Sequence, residues 1–289
     1  MNMTLLQLTT NKMQPRTCSA IILATFLWQP TANSQQAVSV DTFLSRAIDV
    51  LPIESRYEYH KSFLHGSIHL PARDPDESPR AGELSVDGDY QIVGPDGGPL
   101  ATYGIEDTIS FMRLAMDVQL QPIQVVPPSA LRDRSSKVII AGTVQHFANV
   151  DYGVSIGREL RRRKDYELRV DGDRIFVCGF DDAGVMHGLF NLQARMKLCE
   201  APFLPRDLQT VRHSRFDSRL VLSWLGWMQW PDNYLAHLAH DGYDAIYASV
   251  YANPNGAPGP PHYDLIREQK PEQLRQLVQR AKRYGIRVY

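Results

Sequence analysis

Three of the four tryptophans in the sequence, Trp224, Trp227 and Trp230, fall within one stretch of seven residues. An indole ring presents a rigid apolar face that suits the C–H face of a sugar. Nearby, Arg219 carries a planar fork of donors that suits vicinal hydroxyls. Trp224, Trp227 and Arg219 are therefore candidate carbohydrate contacts. The alternatives are that the tryptophans fill an interface between domains and that Arg219 forms a structural ion pair.

Two asparagines form a second candidate group. Asn253 and Asn255 lie in a loop rich in proline and glycine, directly after a predicted strand. If that strand belongs to a parallel α/β barrel, this is the face where barrel sites form. Both residues are candidate sugar contacts, and the alternative is that they are ordinary turn residues.

Groups suited to catalysis are sparse. Asp76-Glu77 is the only adjacent Asp–Glu pair, and it lies in a proline-rich loop that we expect at the surface. No serine or cysteine nucleophile motif is present. The sequence therefore predicts no catalytic residue in this chain.

Histidine spacing does not indicate a metal site. His237 and His240 are three residues apart, without the intervening glutamate of the zinc-protease motif. His60, His65 and His69 have no regular spacing. We therefore expect neither a metal nor a cofactor.

Composition bounds the class of protein. The 289 residues are 43% hydrophobic and 22% charged, and the formal net charge is −1. Nucleic acids and anionic membranes attract basic surfaces, so neither is expected as a partner. The one basic run, Arg161 to Lys164, is predicted to be a solvated loop. Nothing in the composition indicates the oligomeric state.

The N-terminus has the order of an export signal. Lys12 and Arg16 precede an apolar run over 18–28, and small residues follow up to Ser34. The run is too short to span a bilayer. We predict a signal peptide over 1–34 and a secreted or periplasmic mature protein, with a buried first helix as the alternative.

The segment over 137–198 has the clearest structural pattern. A buried strand is predicted over 137–142. Alternating apolar residues on both sides of Asp171-Gly172 then predict a hairpin. Next, Asp181 and Asp182 are possible N-caps of a helix with one apolar stripe. Gly184 and Gly188 on that helix indicate a close approach to the sheet, since each costs about 1 kcal/mol of helix propensity.

Weaker patterns predict the other elements of the first half. They are a helix over 41–50, a strand over 83–92, a helix over 106–118 and a strand over 122–126. Residues 94–99 are a turn cluster that lacks the lysine and the following apolar helix of a phosphate-binding loop. Residues 200–213 are predicted to be a linker. Cys178 is expected to be a small core residue, and its pairing with Cys199 is left open.

Beyond residue 213 strands and helices alternate. The predicted elements are a strand over 219–224, a helix over 234–240, a strand over 245–251, a helix over 271–284 and a strand over 286–289. The last helix has proline at its first turn and Gly285 just past its end, which is the expected asymmetry. This βαβαβ order is typical of the start of a parallel α/β architecture.

The run from Asp165 to Leu192 resembles the accessory N-terminal domain of bacterial β-hexosaminidases, and related domains occur in α-glucuronidases. The recurring patterns are Y-x-L-x-V, I-x-V-x-G and G-x-x-x-G-L-x-x-L. Here they begin at Tyr166, Ile175 and Gly184. The resemblance implies a hexosaminidase-type α+β domain over 35–205, with helices packed on a mixed sheet. It further implies a truncated (β/α)8 barrel over 206–289, represented by its first βαβαβ units.

A second, partial match lies at the first barrel strand. Hexosaminidases resemble one another at R-F-x-x-R-G, whose second arginine hydrogen-bonds the terminal sugar. This chain has Arg215, Phe216 and Arg219 in that spacing, with Leu220 in place of the glycine. The family's catalytic Asp–Glu pair belongs to the fourth strand, which would lie beyond Tyr289.

The resemblance implies an exo-acting, β-N-acetylhexosaminidase-like glycoside hydrolase, exported and acting on a carbohydrate substrate. Because the catalytic pair would lie beyond this chain, we expect the chain alone to be inactive. Two alternatives stay open at this point: an α-glucuronidase-like exo-glycosidase, and a non-catalytic carbohydrate-binding protein.

Overall fold

The computed structural model of the chain describes residues 67–94, 98–121, 130–222, 230–248 and 271–289. The chain divides into two compact units between Glu54 and Ser55, and every described residue lies in the second unit. The predicted signal peptide over 1–34, the helix over 41–50 and the strand over 122–126 lie outside the described residues. In the described part, no helix combines the length and the apolarity needed to cross a membrane.

The first half contains seven strands and three α-helices among the described residues. The strands are β1 (Glu83–Ser85), β2 (Gln91–Val93), β3 (Val138–Thr143), β4 (Tyr166–Asp171), β5 (Arg174–Gly179), β6 (Phe203–Pro205) and β7 (Gln209–Arg212). The helices are α1 (Pro99–Leu114), α2 (Val144–Asn149) and α3 (Asp182–Leu198). A short 3-10 helix spans Ala130–Arg132.

A mixed sheet with the order β2-β3-β5-β4-β7 forms the centre of this half. Strands β2, β3 and β5 are parallel, and β4 runs antiparallel to both of its neighbours. On one face, Ile139, Val177 and the helices α1 and α3 share a core. On the other face, Ile140 and Phe176 pack with Tyr152. The α+β arrangement with a mixed sheet agrees with the sequence prediction.

The predicted hairpin is confirmed. Strands β4 and β5 pair antiparallel, with Val170 opposite Ile175 and Asp171 opposite Arg174. The turn needs a glycine because Gly172 has φ of +68°, in the left-handed region. Cys178, on β5, is fully buried and unpaired, and burial raises its pKa to about 12. Cys178 and Cys199 do not form a disulfide with each other.

Helix α3 lies close to the sheet, as its two glycines indicated. A Cβ at Gly184 would lie far inside van der Waals distance of the Asp165 carbonyl oxygen. A Cβ at Gly188 would lie 2.6 Å from Cγ1 of Val177. The Cβ at Gly184 would clash with backbone, whereas the Cβ at Gly188 would clash with a side chain. Only the clash at Gly188 can therefore be relieved by substituting the neighbouring residue.

We expect Gly184→Ala to destabilise the protein by about 2 kcal/mol, because overpacking against backbone outweighs the gain in helix propensity. Chemical denaturation of the wild type and the variant measures this difference. Gly188→Ala provides the contrast, since adding Val177→Ala should recover most of its loss. A Gly184→Ala variant at least as stable as the wild type would show that the close approach is not required.

Helix α1 begins at Pro99, seven residues before the predicted start at 106 and at the last residue of the turn cluster over 94–99. The expectation that no apolar helix follows this cluster is therefore wrong. The reason is a cap from a distant residue. Asp182 accepts hydrogen bonds from the backbone N–H groups of Leu100 and Ala101, at 2.8 and 2.9 Å. A Cβ at Gly98 would lie 2.5 Å from the Asp182 carboxylate. Asp182 therefore caps α1, and the N-cap of α3 is Asp181, which accepts from Gly184 N at 2.9 Å.

The predicted strand over 83–92 is wrong, because a turn divides it. Asp87 accepts from the backbone N–H groups of Asp89 and Tyr90, and Lys137 binds Asp87 and Asp89 at 2.6 and 2.8 Å. Strand β1 consequently pairs with β6 in a separate two-stranded sheet, while β2 joins the central sheet.

The predicted linker over 200–213 is also wrong. Its residues form β6 and β7, and β7 is the edge strand of the central sheet, with Arg212 opposite Tyr166. A short run with two prolines and several charges carries little hydrophobic periodicity, and an edge strand needs little. The chain therefore leaves the first sheet only after Arg212.

The last part of the chain is βαβαβ, as predicted. The elements are β8 (Leu220–Leu222), α4 (Asp232–His240), β9 (Ala245–Tyr247), α5 (Pro271–Arg283) and β10 (Arg287–Val288). The three strands are parallel and lie in the order β10-β9-β8. Gly242 and Gly285, with φ of +79° and +71°, end the two helices. The described strands form an open sheet of three and do not close into a barrel.

Helices α1 and α3 pack on both parts of the fold. Tyr103 of α1 and Phe190 of α3 share a core with Leu235, Leu277 and Ile246. Trp230 belongs to the same core, where it is buried and stacks on Tyr234 with ring centroids 5.5 Å apart. This tryptophan therefore fills the packed region between the two sheets, as one of the two sequence interpretations proposed.

Candidate functional site

The carboxyl edge of the three-stranded sheet is where the sequence places most candidate sugar contacts. Strands β8 and β9 are parallel, so their carboxyl ends, at Leu222 and Tyr247, lie on the same edge. Trp224 and Trp227 follow β8 in sequence, and Asn253 and Asn255 follow β9. All four lie outside the described residues, and their role as substrate contacts stays a prediction.

Arg219 lies at the opposite, amino edge of the same sheet, directly before β8. Its guanidinium donates to the carbonyl oxygen of Asp241 at 2.9 Å and lies 4.8 Å from the ring centroid of Tyr243. Both partners belong to the segment between α4 and β9. These contacts hold the start of β8 against the start of β9. A contact between Arg219 and a sugar stays a prediction.

A cleft of about 400 Å³ opens beside Arg219, between α3 and the segment that leads into β8. Among the described residues, its lining includes the cations Lys164, Arg212, Arg215 and Arg219, the histidines His187, His213 and His240, and the acid Asp241. Burial lowers the pKa of His187 to about 4, so this imidazole is neutral at neutral pH. Arg212, Arg215 and Arg219 are exposed, and their guanidinium groups favour anionic ligands over cationic ones.

Asp244 is the residue before β9. Its side chain links all three strands of the second sheet, β10-β9-β8, to the segment that leads into β4 of the central sheet. Its carboxylate accepts from Arg219 N at 2.6 Å, from Ser218 Oγ at 3.1 Å and from Arg287 Nη2 at 3.2 Å. It also binds the ammonium of Lys164. Burial opposes the ionisation of Asp244, but the hydrogen bonds from Lys164 and Arg219 keep its pKa below the ordinary value.

The prediction that the basic run is a solvated loop is wrong for its last residue, Lys164. Arg161, Arg162 and Arg163 are exposed, but the Lys164 side chain is only 10% exposed and also donates to Asp217 O at 2.9 Å. Its backbone has φ of +69°, a left-handed conformation uncommon for a lysine. Nothing in a run of four cations distinguishes the one that is buried, and Asp244 is 80 residues away.

Asp165 is a second buried carboxylate beside the cleft. It accepts from Ser214 N and His213 Nδ1, each at 2.9 Å, and from the backbone N–H groups of Arg161 and Arg162. Burial raises its pKa, but these hydrogen bonds outweigh burial, and the net pKa lies below the ordinary 3.8. The stabilisation is therefore present above about pH 3.8 and is lost as the pH falls through the lower, folded-state value.

We expect Asp165→Asn to make the acid limb of the stability profile shallower, because an amide binds no proton in this range. The free energy of unfolding, measured by denaturant titration from pH 6 down to pH 3, tests this expectation. Asp151→Asn, at an exposed ion pair with Arg132, is the matched control. Equal slopes for wild type and Asp165→Asn would show that Asp165 is not stabilised as a carboxylate.

A third cluster joins residues that are distant in sequence. His69 Nε2 and His240 Nε2 each lie 2.9 Å from a different oxygen of the Asp107 carboxylate. Gln193 Nε2 donates to Asp107 Oδ2 at 2.9 Å. Burial opposes the ionisation of Asp107, but the bonds from His240 and His69 hold its pKa far below the ordinary value. His237, the other histidine of the sequence pair, is not part of this cluster.

Neither a protein-family model nor a curated protein matches the sequence. Among solved structures, CpGH84D matches with a TM-score of 0.49 and 12% identity, over 74% of this chain and 36% of that one. BtGH115A, a 4-O-methyl-α-glucuronidase with specificity for decorated arabinogalactans, matches with 0.49 and 12%, over 70% and 28%. Flavobacterium johnsoniae chitobiase (FjGH20) matches with 0.46 and 14%, over 72% and 32%. The chain spans about a third of the length of these structures.

Proposed function

We propose that the chain is the front part of an exported glycoside hydrolase whose substrate site lies at the carboxyl edge of the second sheet. The observation that carries the proposal is the order of two structural segments along the chain. The hairpin β4–β5 and helix α3, which bear the hexosaminidase-type patterns, are followed by three consecutive parallel strands. In barrel enzymes, sites form at the carboxyl ends of such strands.

The open face of the second sheet supports a continuing barrel. Val221 and Ile246 point toward the helices and share their core. On the other face, Leu220, Leu222 and Tyr247 are 46%, 47% and 43% exposed. An apolar face of this kind is what the first strands of a barrel present to the strands that complete the interior.

The substrate class we propose is a non-reducing terminal sugar of a carbohydrate chain or glycoconjugate. The test is expression of the chain together with any coding sequence that follows Tyr289 in frame, assayed on aryl glycosides. Hydrolysis of an N-acetyl-β-glucosaminide supports a β-N-acetylhexosaminidase. Hydrolysis of an α-glucuronide supports the α-glucuronidase alternative, and carbohydrate binding without hydrolysis supports the binding-protein alternative.

Trp224 tests the location of the site in the active protein. We expect Trp224→Ala to raise KM at least about tenfold, because a stacked indole contributes roughly 1.4 kcal/mol or more. Trp224→Phe keeps an aromatic face and should lose less. Unchanged kinetics in Trp224→Ala would exclude this tryptophan from the site.

Export is the last part of the proposal. Cleavage after the small residues near Ser34 would remove the predicted signal peptide and leave a mature protein that is secreted or periplasmic. N-terminal sequencing of the protein recovered from outside the cytoplasm tests this directly. Recovery of the intact N-terminus from the cytoplasm alone would contradict it.

A further inference from the structure

Three side chains of types that bind metal ions come from separate segments and meet where α1 and α4 approach each other. His69 precedes β1, Asp107 lies in α1 and His240 is the last residue of α4. Their ligating atoms all lie within 4.8 Å of one another. The side chains of His69 and Asp107 are each 7% exposed, and that of His240 is 21% exposed. The cluster is therefore nearly enclosed, with one open side at His240.

The ligand types and separations suit a small divalent ion. Two imidazole nitrogens and one carboxylate oxygen are a ligand set that zinc commonly takes. A tetrahedral ion with bonds of about 2.0–2.1 Å places its ligand atoms about 3.3 Å apart. Each imidazole Nε2 lies 2.9 Å from an Asp107 oxygen. To admit the ion, these two separations would open by a few tenths of an ångström, and the two imidazole nitrogens, which lie at most 4.8 Å apart, would settle to a similar separation.

The surrounding residues fix the orientation of all three side chains. Phe190 stacks on the His240 ring, with centroids 3.8 Å apart and planes at 21°. Phe111 packs edge-on against His69 at 5.5 Å. Gln193 Nε2 holds the Asp107 carboxylate at 2.9 Å, as residues around a metal's direct ligands commonly do. A ligand set held in this way loses little conformational freedom when it binds an ion.

Gln193 provides an independent indication of a further group at the cluster. Its side chain is buried and its Nε2 also donates to Thr108 Oγ1 at 2.9 Å. Its Oε1 is buried and has no hydrogen-bond partner among the described residues. A buried unsatisfied acceptor is costly unless something donates to it. A metal-bound water is a strong donor of the kind that this oxygen lacks.

From this geometry we propose that His69, Asp107 and His240 bind one divalent transition-metal ion, Zn²⁺ by preference, with water as the fourth ligand. Two neutral imidazoles and one carboxylate leave a net charge of +1 on the complex. The ion would tie the segment before β1 and helix α1 to the end of α4. The proposal is independent of the glycosidase function, because the ligands lie away from the carboxyl edge of the second sheet.

The experiment uses the full 289-residue chain, stripped with a chelator and titrated with Co²⁺ and then with Zn²⁺. We expect saturable binding of one equivalent, with the intense visible bands of tetrahedral Co²⁺, and displacement of Co²⁺ by Zn²⁺. Thermal unfolding should shift to higher temperature with Zn²⁺ and return after chelation.

His240→Gln is the test variant, because its amide can still donate to Asp107 but is a poor ligand for zinc. We expect it to weaken Zn²⁺ affinity at least about tenfold. His237→Gln, on the same helix, is the matched control and should bind like the wild type. Circular dichroism of both variants verifies the fold. If His240→Gln does not fold, His69→Gln takes its place, and the Co²⁺ spectrum of the wild type still decides.

Three results would overturn the proposal. They are no saturable binding by the wild type, the weak bands of octahedral Co²⁺, and equal affinity in the wild type and His240→Gln. Any of them would leave the cluster as a hydrogen-bonded junction without an ion. Loss of binding in His240→Gln, with binding retained in His237→Gln, would establish the site whether or not the longer protein hydrolyses glycosides.

Discussion

Replacing Asp244 with alanine is expected to lower the free energy of unfolding by about 3–5 kcal/mol. The substitution removes the acceptor for the Lys164 ammonium, which is 10% exposed, and for the Arg219 backbone N–H. Removing one member of a buried ion pair leaves the other charge desolvated and uncompensated, which costs more than the pair contributed. Equilibrium denaturation of both proteins measures the difference.

Asp217→Ala is the matched control for this experiment. Asp217 is exposed, and Lys164 contacts its backbone carbonyl oxygen, which the substitution keeps. We expect a change within about 0.5 kcal/mol. Adding Lys164→Met to Asp244→Ala should recover part of the loss, since no buried charge then remains unpaired. A loss in Asp244→Ala no larger than that of the control would contradict the role assigned to this junction.

The second large effect is expected at Arg174, which is fully buried at the start of β5. Its Nη1 donates to the carbonyl oxygens of Leu131, Arg132 and Tyr152 at 2.8–3.0 Å. Its Nη2 binds Asp171. Arg174→Met keeps much of the apolar stem but leaves these acceptors without their donor. At about 1–3 kcal/mol for each buried unsatisfied group, we expect a loss of at least about 3 kcal/mol.

Arg169→Met, on the adjacent strand β4, separates this effect from the loss of a surface charge. Arg169 donates to Ser155 O at 3.0 Å in an exposed contact, so its replacement should cost no more than about 1 kcal/mol. Thermal or chemical unfolding of the two variants gives the comparison. Similar losses would mean that the carbonyl cluster around Arg174 is satisfied in another way.

Local patterns in the sequence were sufficient for the β4–β5 hairpin and for α3. The alternation around Asp171-Gly172 predicts the antiparallel hairpin, although the turn residues are Gly172 and Asp173, one position later than predicted. Gly184 and Gly188 predict the close packing of α3 on the sheet. In each case the decisive information lies within a few residues, where backbone conformation and side-chain periodicity are directly coupled.

Pairings between distant residues could not be predicted in the same way. The start of α1 depends on Asp182, 82 residues after Leu100. The ligand-type cluster needs Asp107 and His240, which are 133 residues apart. No short-range spacing contains either pairing, and the fold alone brings these side chains together. The histidine pair that the sequence did suggest, His237 with His240, shares a helix but not the cluster.

The placement of α1 and α3 between two sheets bears on how the protein can be divided. Tyr103, Met186 and Phe190 of these helices complete a core that includes residues of α4, α5 and β9. A fragment that stops at the predicted boundary, after Pro205, would lose the β7 edge strand and expose this apolar surface to water. Such a fragment is expected to self-associate, whereas the intact chain should unfold in one calorimetric transition across both sheets. We therefore expect the two halves, although they are successive segments of the sequence, to unfold as a single cooperative unit.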